Sequence, residues 1–295
     1  MILHKANDVC IYQAKNDILN SENIHSDVIY TGYKAIDEIL GGMLPGELYM
    51  IGARPGMGKS CFTYNLLCRM CIEHGVPALL FSLKSSAEDV IQKMIAMISM
   101  REIGRSHEEN HSLEVFREFE EATKKIRKSP IRIEDSLSLT LNAFNRRCRE
   151  IRRDGPVRVV FLDSWDNMHF SPKPDKATEI EALRQIKSLA YEMGITIVIN
   201  MNLSKEIEYR ETHYPTIHDF MIPVSALEEA SGVMTLYRKA YYGYTYPDCE
   251  LLESFKVDVF RSRQSKYGKS ELLFRPSILR IDEWNGEEFT KVLRL

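Results

Sequence analysis

The chain has 295 residues, of which 44% are hydrophobic and 27% charged, and its net charge is −3. That balance suits one large α/β domain or two small ones, and it excludes a chain-wide basic surface, so any nucleic-acid contact must be a local patch. No apolar run approaches a membrane span and no basic-then-apolar start suggests a signal peptide, so a cytoplasmic protein with no membrane partner is expected.

Residues 1–29 are polar and mixed, with a short helix expected over 3–19 and a linker at SENIHSD. From Thr31 the texture changes, and 30–295 reads as the main domain. GELYMIGA (46–53) is a strand, SCFTYNLLCRMCIEHG (60–75) a helix stopping at Gly75, and VPALLFSL (76–83) a second strand. SAEDVIQKMIAMISM (86–100) opens on a serine cap with an acidic first turn and runs apolar at helical spacing. Residues 101–130 are charged and helical, IRIED (131–135) is a short strand, and LTLNAFNRRCREIRRDG (139–155) is an arginine-rich helix with a solvated or interface face. VRVVFLDS (157–164) is a continuous apolar run ending in an aspartate, followed by a helix over 179–194 and the strand ITIVINMN (195–202). GVMTLYRK, SFKVDVFRSR and SELLFRP make a strand-rich C-terminal third. Near-continuous apolar strands alternating with helices predict a twisted, mostly parallel sheet covered on both faces. The six cysteines (Cys10, Cys61, Cys68, Cys71, Cys148, Cys249) form no paired metal spacing and read as reduced, packed thiols.

The sharpest motif is ARPGMGKS, Ala53 to Ser60, which fits the Walker A pattern with Ala53 in place of the first glycine. Gly56 and Gly58 permit a tight turn whose N–H groups face phosphate oxygens, and the helix opening at Lys59 adds its positive end. Arg54, Pro55, Gly56, Met57, Gly58, Lys59, Ser60 and Cys61 are therefore the expected ATP cradle. Lys59 would meet the β and γ phosphates and Ser60 would offer a hydroxyl to Mg²⁺. VVFLDS places Asp163 at the C-terminal end of a buried strand, where a carboxylate holds Mg²⁺ across the sheet from Ser60; Asp166, in the turn beyond, competes for that role. The eight histidines show no HxxxH or HExxH, so no other metal site is expected.

With these residues in place, TGYKAIDEILGGMLPGELYMIGARPGMGKS resembles the opening of the ATPase domain of DnaB-type replicative helicases, within the RecA-like group of P-loop NTPases. FSLKSSAEDVIQKMIAMIS, VVFLDSWDNM, NMNLSKEIEYR and VDVFRSRQSKYGK look like its later strands and loops, so the resemblance covers roughly residues 30–283. The family's N-terminal primase-binding domain is not expected here; residues 1–29 resemble at most its linker helix, which docks on a neighbouring subunit. The resemblance implies a homo-oligomeric ring, hexameric in the family, with ATP between subunits. It makes Asn202 the γ-phosphate sensor, in place of a glutamine, and Arg261 and Arg263 arginine fingers supplied in trans.

Three departures from the family pattern bear on chemistry. Lys84, in FSLKSSAED, stands where the family has the glutamate that polarises the attacking water, and an ammonium cannot accept that proton. Met221, Ile222, Pro223 and Val224 occupy the loop that grips the DNA backbone in the family, and they carry no charge. Asn202 is one methylene shorter than glutamine. Lys173, Lys176, Lys205 and Arg210 lie in the loops that would face a ring pore, where they could touch phosphates of single-stranded DNA or simply be solvated. The tyrosine-rich YRKAYYGYTYP (237–247) suits a surface hairpin or a contact with a partner or a base. Two readings stand: an ATP-hydrolysing motor on single-stranded DNA, and an ATP-binding assembly protein of the same fold that has lost turnover.

Overall fold

The computed structural model describes residues 27–102, 113–136, 138–170, 175–243, 252–262 and 266–284. Six strands run parallel: β1 (Leu48–Ala53), β2 (Ala78–Ser82), β3 (Ile131–Asp135), β4 (Val159–Asp163), β5 (Thr196–Asn202) and β6 (Gly232–Arg238). Three more, β7 (Glu253–Arg261), β8 (Gly268–Arg275) and β9 (Arg280–Glu283), extend the sheet in antiparallel fashion. The resulting nine-stranded order is β3-β2-β4-β5-β1-β6-β7-β8-β9.

The helices are α1 (Lys34–Leu40), α2 (Lys59–Leu67), α3 (Ala87–Ser99), α4 (Leu113–Lys128), α5 (Leu141–Asp154), α6 (Lys176–Met193) and the short α7 (Val224–Leu227). A π-helical turn, Cys68–Glu73, continues α2. Side chains alternate across each strand, so the period of two divides the core. Tyr49, Ile51 and Ala53 of β1 pack on one face with Phe62 and Leu66 of α2 and Met94 of α3. Leu48 and Met50 turn to the other face, among Phe144 of α5 and Leu183 and Ile186 of α6. Burial on both faces is why the central strands are apolar throughout.

Side-chain caps set several helix starts. Ser86 Oγ accepts from the Asp89 N–H at 3.1 Å, Thr140 Oγ1 from Ala143 at 3.2 Å and Asp175 Oδ1 from Thr178 at 2.8 Å. The arginine-rich face of α5 is laced with ion pairs: Arg147 with Glu134 and Glu150, and Arg149 with Glu192. The described cysteines Cys61, Cys68, Cys71 and Cys148 are free thiols.

Three elements were not anticipated: α1, β9 and the short α7, which takes Val224 out of the expected 221–224 loop. Helix α1 has no side-chain cap and spans only seven residues. Tertiary contacts hold it: Ile36 and Leu40 are buried, and the Asp37 carboxylate accepts the N–H groups of Thr31 and Gly32. β9 carries one buried apolar side chain, Ile281, too little pattern to read as a strand. Among the described residues no helix is long and apolar enough to cross a membrane. Residues 1–26 of the arm expected over 1–29, together with Lys173, Arg263, Cys10 and Cys249, lie outside the described residues, but Ile29 is buried in the core and pairs with Met43, so the domain begins before Tyr30.

Candidate nucleotide site

The candidate residues gather at the C-terminal ends of the parallel strands. β1 ends at Ala53, and residues 54–58 turn the chain into α2. Gly56 and Gly58 have φ of 82° and 94°, left-handed values that strain any side chain. Close neighbours enforce the choice, since a Cβ on Gly56 would lie 2.6 Å from the Tyr241 ring and one on Gly58 3.2 Å from Phe255.

Lys59 opens α2 and is 6% exposed. Its Nζ folds back to donate to the carbonyls of Ala53 at 2.8 Å and Arg54 at 3.4 Å. Two arginines brace the turn. Arg54 donates to Glu208 Oε1 at 2.8 Å and to the Leu203 carbonyl at 2.9 Å, tying the loop to the segment after β5. Arg238, at the end of β6, donates to the Gly56 carbonyl at 3.0 Å and to Glu253 at 2.7 Å. Met57 is buried, with its sulfur accepting from the Arg238 N–H at 3.4 Å, whereas Pro55 is exposed. The Cys61 thiol donates to the Leu279 carbonyl at 3.0 Å, and burial pushes its pKa up to about 12. Its side chain is thus committed to packing, leaving its backbone as the part that could face a phosphate.

Asp163 ends β4 and is 1% exposed. Its Oδ1 accepts from Asn200 Nδ2 at 2.9 Å, and the same amide donates to Thr63 Oγ1 at 2.9 Å. Asp163 Oδ2 is buried with no partner among the described residues. Thr63 lies one helical turn after Ser60, so Ser60 sits on the same helix face, nearer the mouth. A hydroxyl and a free buried carboxylate oxygen are hard oxygen donors that suit Mg²⁺. The Asp163–Ser164 peptide is cis. Among the described residues no cluster of three or more His, Cys, Asp or Glu could form a separate metal cage.

Asp166 serves the backbone, accepting the Asn202 N–H at 2.8 Å. The Asn202 side-chain oxygen is buried without a partner among the described residues, a second open acceptor at this edge. Lys84 stands beside it all. Ser82 is in register with Asp163, the Leu83 N–H donates to the Asp163 carbonyl at 2.8 Å, and Ser82 Oγ closes the turn onto the Ser85 carbonyl at 2.6 Å. Lys84 is exposed at that mouth and makes no ion pair among the described residues. Burial, and next the Lys84 charge, hold Lys59 down at about 8, against the pull of Asp166 and Asp163.

Arg261 does not join this group. β7 runs antiparallel, so Glu253 lies beside the loop while Arg261 sits at the far end, roughly 27 Å along the strand. There it is exposed, near Ser231, Ser262 and Tyr267. Of the cations expected in loops, Lys176 opens α6 and Lys205 opens a 3-10 turn, both exposed, while Arg210 is committed to the buried Asp219, with Nη1 to Oδ2 at 2.8 Å. In the uncharged loop Met221 is exposed, Ile222 is buried and Pro223 precedes α7. Sequence reasoning missed Asn200, Arg238 and Glu208. Asn200 had a signal, a polar residue inside an apolar strand; the other two are paired only by the fold.

A glycine-turned loop between a parallel strand and a helix, with its lysine and an acidic strand end opposite, has the form of a P-loop on an α/β sheet. The profile of the DnaB-like helicase C terminal domain matches residues 28–283, and the chain belongs to that family. It is 28% identical over 281 residues to the replicative DNA helicase DnaB of Haemophilus influenzae, covering 91% of this chain and 58% of that protein. It is also 28% identical over 218 residues to a probable plasmid replicative DNA helicase of Chlamydia psittaci, covering 73% and 48%. The chain thus spans about half the length of these curated relatives. The fold superposes on a solved, free-standing ATPase domain with a TM-score of 0.84 at 20% identity, over 95% of this chain and all of that one. A DnaB-like replicative helicase studied with primase gives a TM-score of 0.82 at 19% identity, over 96% and 68%. The sheet is that of RecA-like helicase ATPase domains.

Proposed function

We propose that the chain acts as the ATP-driven motor domain of a replicative DNA helicase, turning over Mg²⁺–ATP in a homo-oligomeric ring around single-stranded DNA. The observation that carries this reading is the preformed phosphate cradle, Lys59 on a left-handed glycine turn facing Asp163 with one carboxylate oxygen free. Lys59 would hold the β and γ phosphates, Ser60 and Asp163 would hold Mg²⁺, and Asn202 would sense the terminal phosphate. The bound metal would supply charge neutralisation at the transferring phosphate. Arg261 cannot reach its own chain's loop, which supports a role for Arg261 and Arg263 towards a neighbouring subunit's nucleotide. Family membership supports a hexamer as the ring size, and the segment before Asp27 as an arm that docks on that neighbour. The test is steady-state ATPase with and without single-stranded DNA: turnover that DNA stimulates and Lys59→Ala abolishes is expected, and turnover indifferent to Lys59→Ala would overturn the reading.

Lys84 favours a second reading, an ATP-holding ring subunit with little turnover. The site edge has no carboxylate at the position where the family polarises water, and the uncharged 221–224 loop weakens the DNA grip. DNA-independent nucleotide binding with negligible hydrolysis would select it.

A further inference from the structure

We propose that Lys84 is a second phosphate-binding cation, facing Lys59 across the nucleotide and gripping the terminal phosphate of a nucleoside triphosphate. The inference rests on the nucleotide reading of the P-loop and extends it to what the substituted position does. Three observations carry it.

The first is placement. The Leu83 N–H to Asp163 carbonyl bond at 2.8 Å and the Ser82–Asp163 register pin the β2 turn against the end of β4. The Ser82 Oγ bond to the Ser85 carbonyl at 2.6 Å then fixes the turn that presents Lys84. A residue two positions past a parallel strand's C-terminal end stands where α/β sheets receive ligands.

The second is lack of compensation. Lys84 is exposed and has no ion pair among the described residues. Asp166 accepts the Asn202 N–H at 2.8 Å and Asp163 Oδ1 accepts from Asn200 at 2.9 Å, and neither forms an ion pair with Lys84. Arg54, the other nearby cation, is neutralised by Glu208 at 2.8 Å.

The third is convergence. Lys84, in the turn pinned to the Asp163 end of β4, and Lys59, at the start of α2, converge on the same edge of the sheet. Two like charges brought to one sheet edge beside a helix start form a site that an anion completes. A triphosphate carries its densest charge at its terminal phosphate, so ATP should gain from Lys84 and ADP should not. Because the second ammonium neutralises charge that a divalent cation otherwise covers, triphosphate binding should also survive chelation of Mg²⁺.

The test is displacement of a fluorescent ADP analogue by ATP or by ADP, with Mg²⁺ or with excess EDTA, on the full chain. Lys59→Ala should lose both nucleotides. Lys84→Ala should lose about tenfold or more in ATP affinity, the size of a charge-assisted contact, with ADP unchanged and the EDTA-resistant ATP binding gone. Lys84→Arg should retain it. Lys84 is exposed, and equal melting temperatures of parent and variant without nucleotide check that the fold is kept. If Lys59→Ala loses nucleotide but Lys84→Ala keeps the parent's ATP-to-ADP preference and EDTA resistance, the grip is refuted while the nucleotide site stands. If Lys59→Ala binds as the parent does, the site and the grip fall together.

Discussion

Lys59 holds the site's main titratable charge, and its surroundings set a pH window. Burial and the neighbouring Lys84 lower it from 10.5 to about 8. A lysine with a lowered folded-state pKa is charged below that point and neutral above it. Phosphates bind the ammonium form, so ATP affinity should be full below pH 8 and fall as pH rises through it, by up to about tenfold per unit. Stability without nucleotide has the opposite sign, because burying the charged form costs stability below pH 8 and that cost fades as pH rises towards 10.5. Nucleotide displacement measured from neutral to alkaline pH checks the first effect. Lys59→Arg, which does not titrate there, should flatten the profile, and an identical decline in that variant would place the titrating group elsewhere.

Among the elements, α2 has two tasks, opening the phosphate turn and packing the sheet. Phe62, on its first turns, is fully buried between Tyr33 and Phe255, with ring centroids 5.8 Å away on either side. Phe62→Ala should cost about 3–5 kcal/mol of stability, read as a lower urea midpoint. The parallel half of the fold was legible because burial on both faces leaves apolar runs that stop at polar ends: IGA before the loop, VVFLD before the turn. The helix starts were legible where a cap announces them, as at Ser86. Helix α1 and strand β9 were not, since each is held by distant partners; the Tyr33 hydroxyl, for example, donates to the Ile281 carbonyl across 248 positions of sequence. The same division applies to the site. A local motif marks Lys59, Ser60 and Asp163. Arg238 and Glu208 join the loop only because β6 and the segment after β5 come to its sides. Asn200, wedged between Thr63 and Asp163, showed in the sequence only as a polar residue among the apolar ones of ITIVINMN, alongside Thr196 and Asn202.

At the scale of the whole molecule, the distance between Arg261 and its own P-loop predicts that activity belongs to an assembly. A Lys59→Ala chain and an Arg261→Ala/Arg263→Ala chain should each be inactive alone. Mixed, they should regain part of the turnover at interfaces where an intact P-loop meets an intact arginine strand; no recovery in mixtures that still co-assemble would argue against fingers in trans. Lys84 would limit the rate of such a ring, because an ammonium at the mouth can hold phosphate but cannot take a proton from water. The most direct measurement is therefore ATP turnover at saturating Mg²⁺ and single-stranded DNA for the parent, Lys59→Ala and Lys84→Glu. Predicted is a slow parent rate that vanishes in Lys59→Ala and rises in Lys84→Glu. A parent rate that Lys59→Ala leaves unchanged would contradict the assignment of this site as the motor's nucleotide pocket.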